Sequence, residues 1–217
     1  MRLQVLLLTF TFLFLNNTRA QIYLDSTKSA EERASDLVAR MTTDEKIGQM
    51  IQIERTAPQN IADIKNYFIG SILSGGGSAP ESNTPAGWAD MSDNFQAQAL
   101  STRLKIPLIY GIDAVHGNNN VKDAVIFPHN IGLGCTRNPE LVKRAAEVTA
   151  EEILATGLHW TFAPCVAVPR NERWGRTYEG FGEVPALVTE LGAAADKPGD
   201  PKHRDSGDIL LHNIFIQ

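Results

Sequence analysis

Two segments of the chain carry residues whose types and spacing could do chemistry. The first is Asp113 in Gly111-Ile112-Asp113-Ala114-Val115-His116-Gly117, where a carboxylate directly follows a long apolar run. A carboxylate there can accept hydrogen bonds from two neighbouring hydroxyls, the pair that a sugar ring presents. The other reading is that Asp113 caps the loop that follows. The second segment is Arg170-Asn171-Glu172-Arg173-Trp174-Gly175-Arg176-Thr177-Tyr178-Glu179. Its flat rings could cover the apolar faces of a sugar while its guanidinium forks hold the hydroxyls, or it could be an ion-paired surface loop. The two cysteines, Cys135 and Cys165, lack the close spacing of a zinc cluster, so no metal or other cofactor is implied.

Such residues need rigid elements behind them. Ala30, Ala34, Leu37 and Met41 fall at helical spacing within 29–41, and Thr42 with Glu45 three residues on is a capping-box signature for a second, short helix. Met50-Ile51-Gln52-Ile53 reads as a strand. Pro58 opens a helical stretch carrying Ile61, Ile64 and Phe68, and the apolar run Gly70-Ser71-Ile72-Leu73 with a Ser-Gly-Gly-Gly turn follows it. A third helix covers 86–103. Ile106 to Ile112 is a near-continuous apolar strand, the kind that a parallel sheet covers on both faces. Asn138 and Pro139 supply the cap and first-turn proline of a helix with one buried stripe, Val142, Ala145, Ala146, Thr149 and Ile153, which Gly157 stops. Trp160 to Val166 is the fourth strand.

Strands alternating with helices predict a parallel sheet and α/β architecture. The strands begin near 50, 70, 106 and 160, a mean separation of about 37 residues. Eight such units need roughly 300 residues, so about four βα units, the N-terminal part of a (β/α)8 barrel, fit in this length. In a barrel of this type the ligand site lies at the carboxyl ends of the strands, where Asp113 follows the third strand and Arg170–Glu179 follows the fourth.

The chain has 217 residues, 43% of them apolar and 21% charged, which predicts one globular domain stabilised by packing. A net charge of −5 with no long basic stretch excludes an electrostatic grip on nucleic acid. Residues 1–20 have a charged start, an apolar run from Leu3 to Leu15 and a small residue, Ala20, at a cleavage point. That pattern predicts a secretory signal, too short for the ~20 apolar residues of a membrane span. The mature chain would begin at Gln21, be secreted and carry a net charge of −7, because the signal removes two arginines and no acid. It would carry no N-glycan, since Asn16-Asn17-Thr18 leaves with the signal and Asn83-Thr84-Pro85 does not qualify.

Five ordered blocks resemble the N-terminal domain of family 3 glycoside hydrolases. They are Asp44-Glu45-Lys46-Ile47-Gly48-Gln49-Met50, the run from Ile106 through Asp113 to Gly117, Phe127-Pro128-His129-Asn130-Ile131-Gly132-Leu133-Gly134, Thr161-Phe162-Ala163-Pro164, and Arg173-Trp174-Gly175-Arg176. The similarity is to the secreted β-glucosidases and β-D-glucan exohydrolases, several of them plant cell-wall enzymes, and it runs from about residue 22 to 195. It implies that Asp113 hydrogen-bonds hydroxyls of the innermost sugar and that Arg176 holds the same sugar. It also implies a retaining hydrolase with an aspartate nucleophile and a second carboxyl as acid and base. Those two carboxyls belong to segments that the 217 residues do not contain. The expected partner is a β-linked oligosaccharide or glucoside, with no nucleic acid, no membrane and no obligate protein partner.

The sequence departs from the family pattern at several places. Asn118 stands where the branch often has histidine, and Val184 where an aspartate usually follows Glu183. The cysteines often found around the Trp-Gly-Arg loop are replaced by Pro169 and Thr177, leaving either a Cys135–Cys165 bridge or, as the expectation, two buried free thiols. His116 and His129 read as hydrogen-bonded structural histidines. The family's sugar-gripping lysine-histidine pair has a formal counterpart in Lys202-His203, but Pro198, Gly199 and Pro201 break any strand before it. From Asp196 to Asp208 no apolar residue occurs, so 196–217 reads as a tail foreign to the family. Two functions stay open: a β-glucosidase-type hydrolase, here an incomplete copy without its catalytic carboxyls, or a non-catalytic partial barrel that binds a sugar or a partner chain.

Overall fold

The structure, a computed structural model, describes residues 21–196 and 210–211. The expected signal at 1–20, the pair Lys202-His203 and most of the tail lie outside the described residues. The length predicts one domain, yet the chain divides into two compact units, one ending at Met41 and the next beginning at Thr42. In the first, a 3-10 turn at Ile22–Leu24 precedes α1 (Ala30–Arg40). Ser29 and Glu32 close a capping box that starts α1, and Asp36 holds Arg40 at 2.9 Å one turn further on. No residue of α1 is buried; the buried apolar side chain among the described residues of this unit is Tyr23, with the Arg40 guanidinium over its ring.

The second unit opens with α2 (Thr43–Gln49), capped as expected: Glu45 N–H donates to Thr42 Oγ1 and Thr42 N–H donates to a Glu45 carboxylate oxygen. There follow β1 (Gln52–Glu54), α3 (Asp63–Asn66), β2 (Ser71–Ser74), α4 (Pro85–Leu100), β3 (Ile109–Ile112), α5 (Asn130–Cys135), α6 (Pro139–Leu154), β4 (Trp160–Thr161), a 3-10 turn at Thr177–Glu179, α7 (Pro185–Ala195) and β5 (Leu210–Leu211). All strands are parallel, in the order β1-β2-β3-β4-β5. A sheet that adds each new strand beside the last one is winding as a barrel winds, and four βα units plus a fifth strand match the expected partial (β/α)8 barrel.

The strands are shorter than the apolar runs. β3 begins at Ile109 rather than Ile106, because Pro107 has no N–H for the ladder, and β4 stops at Thr161 rather than 166, with Pro164 close behind. The helical stretch expected from Pro58 contracts to the four residues of α3. Phe68 there has a φ of 55°, which a continuing helix cannot adopt. β5 falls within the segment read as foreign, where Leu210 and Leu211 pair with Trp160 and Thr161.

Side chains alternate across the sheet. Ile72, Tyr110 and Ile112 point to the helices and pack with Ile64, Trp88, Phe95, Ile153 and Leu158 in the main core. A second cluster, Leu133, Val142, Phe181, Leu187, Val188 and Leu191, joins α5, α6 and α7. The stripe predicted on α6 is the one observed: Val142, Ala145, Thr149 and Ile153 are buried. Ile109 and Gly111 take the opposite face, where a Cβ on Gly111 would lie 2.8 Å from the rings of both Trp160 and Phe162. Only glycine lets those rings cross the sheet there.

Candidate functional site

Asp113 continues β3 by one residue. Its N–H donates to Ser74 O at 3.1 Å, extending the ladder to β2, so the period of two puts its carboxylate on the face that carries Ile109, Gly111 and the ring of Trp160. The backbone on its other side is fixed too. Asn120 Nδ2 donates to Asp113 O at 3.3 Å while Asn120 Oδ1 accepts from Gly77 N–H at 3.1 Å, in the glycine-rich turn after β2. Asn119, in the amide orientation that satisfies both of its polar atoms, donates to the same carbonyl at 3.3 Å. Asn118 is fully buried, and neither of its side-chain polar atoms has a hydrogen-bond partner among the described residues.

Arg176 comes from the loop after β4 and is gripped by Glu179 in a two-pronged ion pair: Nε donates to one carboxylate oxygen at 2.7 Å and a terminal nitrogen to the other at 2.5 Å. The guanidinium is half exposed and the carboxylate is buried, so the pair is anchored at one end and open at the other. Asn130 Nδ2 fixes the same turn by donating to Glu179 O at 2.8 Å, and Gly134 lies so close to Phe181 that a Cβ would sit 1.8 Å from its carbonyl oxygen. Burial pushes the Asp113 carboxyl above its ordinary value, and the Glu179 charge adds to that rise, against the pull of Arg176 and His116. The pair Arg176–Glu179 and the carboxylate of Asp113 therefore lie within electrostatic reach of one another. The guanidinium is itself pushed up, mainly by its hydrogen bonds to Glu179.

Together these groups offer a water-facing guanidinium beside a carboxylate that is half withdrawn from water, one donor and one acceptor for polyhydroxylated ligands. The two segments that the sequence singled out thus converge at the carboxyl ends of β3 and β4. Glu179, Asn120 and Asn130 were the residues missed. Glu179 was legible only as one acid among three arginines, and the asparagine roles depend on loop closure that no periodicity encodes. Both cysteines are free thiols; Cys165 is buried as expected, its thiol pushed up by that burial, whereas Cys135 is exposed at the end of α5. The unusual Val184 proves to be the N-cap position of α7, where no side chain caps the helix. A cavity of about 50 Å³ lies beside the site, lined by His116, Phe127, Thr161, Pro164 and Phe181 among others. No group of three or more metal-ligating side chains occurs among the described residues, and no helix among them is long and apolar enough to cross a membrane.

Comparison with known proteins converges on one family. Residues 42–197 match the glycosyl hydrolase family 3 N terminal domain. The lysosomal beta glucosidase of Dictyostelium discoideum is 38% identical over 181 residues, 74% of this chain and 22% of that protein. The periplasmic beta-glucosidase of Salmonella typhimurium is 39% identical over 163 residues, 73% of this chain and 19% of that one. The crystal structure of an exo-1,3/1,4-beta-glucanase from a Pseudoalteromonas species superposes with a TM-score of 0.71 at 42% identity, covering 76% of this chain and 21% of that one. The chain thus spans about a fifth of the length of these relatives.

Proposed function

We infer the function from one premise: the chain belongs to glycosyl hydrolase family 3 through the N-terminal domain of that family. The 217 residues then form the sugar-holding side of a β-glucosidase-type active site. Asp113 accepts hydrogen bonds from two adjacent hydroxyls of the innermost sugar, and Arg176, steadied by Glu179, donates to the same sugar. The observation that carries this reading is the convergence at the carboxyl ends of β3 and β4 of Asp113, whose backbone is held on both sides by hydrogen bonds, and of the Arg176 guanidinium, which Glu179 clasps directly. Preorganised charged groups gain more from a hydroxyl than mobile ones, because their ordering precedes binding. Each charge-assisted bond contributes about 1.5–3 kcal/mol where water is excluded.

The ligand is a β-linked glucoside or oligosaccharide, in keeping with relatives named as β-glucosidases and a glucanase. Turnover in a retaining family needs a nucleophile and an acid/base carboxyl from segments beyond the ones matched here, so these residues bind and orient the sugar and leave bond cleavage to others. Residues 1–20 act as an export signal, 21–195 carry the first four strands of the partial barrel and 196–217 form a tail that lends it β5, a division supported by the pattern of residues 1–20 and by a family match that ends at 197. Relatives named as periplasmic and lysosomal are in keeping with an exported chain.

Titration calorimetry with D-glucose tests the site. Asp113→Ala or Arg176→Ala should each weaken binding by tenfold to a hundredfold, since about 1.4 kcal/mol corresponds to a factor of ten. Lys202→Ala should leave it unchanged. Wild-type affinity in a folded Asp113→Ala chain would remove the assignment even with family membership intact.

A further inference from the structure

The two loops that carry Asp113 and Arg176 are joined by three rings that the hydroxyl-binding reading leaves unused. His116, three residues beyond Asp113, has its Nδ1 2.9 Å from Phe127 O, which sets the plane of its ring. That ring stacks on His129, which immediately precedes α5, with centroids 3.9 Å apart and planes 29° from parallel. His129 in turn meets Tyr178 edge-on at 4.6 Å and 80°. Tyr178 belongs to the 3-10 turn Thr177–Glu179, two residues after Arg176 and directly before Glu179. The row therefore starts on the loop of Asp113 and ends on the turn that presents Arg176.

We propose that His116, His129 and Tyr178 act as a strut that sets the spacing between Asp113 and Arg176, which makes them positioning residues for the sugar site. Rings in van der Waals contact resist compression, and a site of paired hydrogen bonds tolerates errors of only about 0.5 Å. Both loops leave the sheet from adjacent strands, past the last ladder pair Ile112–Thr161. The asparagines hold the backbone of Asp113, and Asn130, beside His129, ties the segment after β3 to the backbone of Glu179; the ring row adds a link made by side chains between Asp113's loop and the turn of Arg176. The strut does so with shape rather than charge, and a ring of similar size can replace each imidazole in it.

This inference rests on Asp113 and Arg176 as the sugar-binding pair, so its test needs one readout with sugar and one without. The charges acting on Asp113 are those of Glu179, Arg176 and His116, and His129 couples to Glu179 and His116, so Tyr178→Ala is the variant whose effect on the Asp113 titration reads geometry alone. In the 217-residue chain, D-glucose affinity by calorimetry and the Asp113 carboxyl titration by 13C NMR should be measured for His129→Ala, His129→Phe and Tyr178→Ala. His129→Ala and Tyr178→Ala should bind glucose at least fivefold more weakly, and Asp113 should titrate at lower pH as the turn that carries Glu179 and its clasped Arg176 moves away, because the Glu179 charge acts on Asp113 more strongly than the Arg176 charge. His129→Phe should stay within twofold of wild type. Tyr178 is 45% exposed, so its truncation leaves the core untouched if His129→Ala fails to fold. Wild-type affinity and an unmoved titration in folded His129→Ala or Tyr178→Ala would overturn the strut, as would a His129→Phe chain as impaired as the alanine variant. If Asp113→Ala itself leaves glucose binding intact, the sugar reading fails, and the carboxyl titration alone then decides the strut.

Discussion

Opposite ends of the sheet each carry an arginine clasped by a glutamate, and the two pairs do different work. Near the amino ends of the strands, Glu45 is 4% exposed and uses its carboxylate twice, to cap α2 through Thr42 and to accept from Arg103 at 2.7 Å across 58 residues of sequence. Burial pushes its carboxyl up, but the hydrogen bonds from Arg103 and Thr42 outweigh it, and the net shift is down. At the carboxyl ends, Glu179 holds Arg176 just as closely, yet no hydrogen bond to the neighbouring Asp113 carboxylate occurs among the described residues, and its carboxyl is raised. One end has its charges satisfied by the fold. The other leaves a carboxylate whose charge is disfavoured by burial and by Glu179, the feature that marks it as a candidate binding group.

The contrast can be broken most strongly at Glu45. Glu45→Ala removes a capping box and the partner of Arg103 together, and should cost about 2 kcal/mol, a fall in Tm of about 4–8 °C by calorimetry. The sign with pH follows from the lowered carboxyl. Its stabilisation is complete above the ordinary value of 4.5 and disappears as pH falls through the lower folded value, so wild type and Glu45→Gln should converge in stability in that acid range. A gap that persists at low pH would mean that packing rather than charge holds this end.

At the other end the effects are smaller. Glu179→Gln removes the like charge that raises Asp113, so the Asp113 carboxyl should titrate at lower pH by 13C NMR, while D-glucose binding weakens by about fivefold, roughly 1 kcal/mol, as Arg176 loses its anchor. An unmoved Asp113 titration would leave burial as its sole cause. Smallest of all in its effect on stability, Asp113→Asn should raise Tm at pH 7 by about 2 °C while weakening glucose binding about tenfold. A raised carboxyl makes the folded state less stable as pH rises from 3.8 through the folded value, and the amide removes that penalty. The gain should therefore vanish below about pH 3.8. A fall in Tm at neutral pH would mean that Asp113 is a structural cap after all.

Much of this molecule was determined by local sequence. The capping box at Thr42, the Asn138-Pro139 start of α6 and its buried stripe, and the apolar runs that became β2 and β3 follow from spacing, because cap bonds and amphipathic faces depend on residues within one or two turns. Asp113 was legible for a similar reason, as the first polar residue after a covered strand. What only the tertiary structure decided is everything that spans distance. The clasp of Glu45 by Arg103, the hold of Asn120 on both Gly77 and Asp113, and the row of rings from His116 to Tyr178 each join residues between seven and 62 positions apart. Chain spacing is silent about such pairs, since they meet only after the βα units have wound side by side and brought the carboxyl ends of β3 and β4 together.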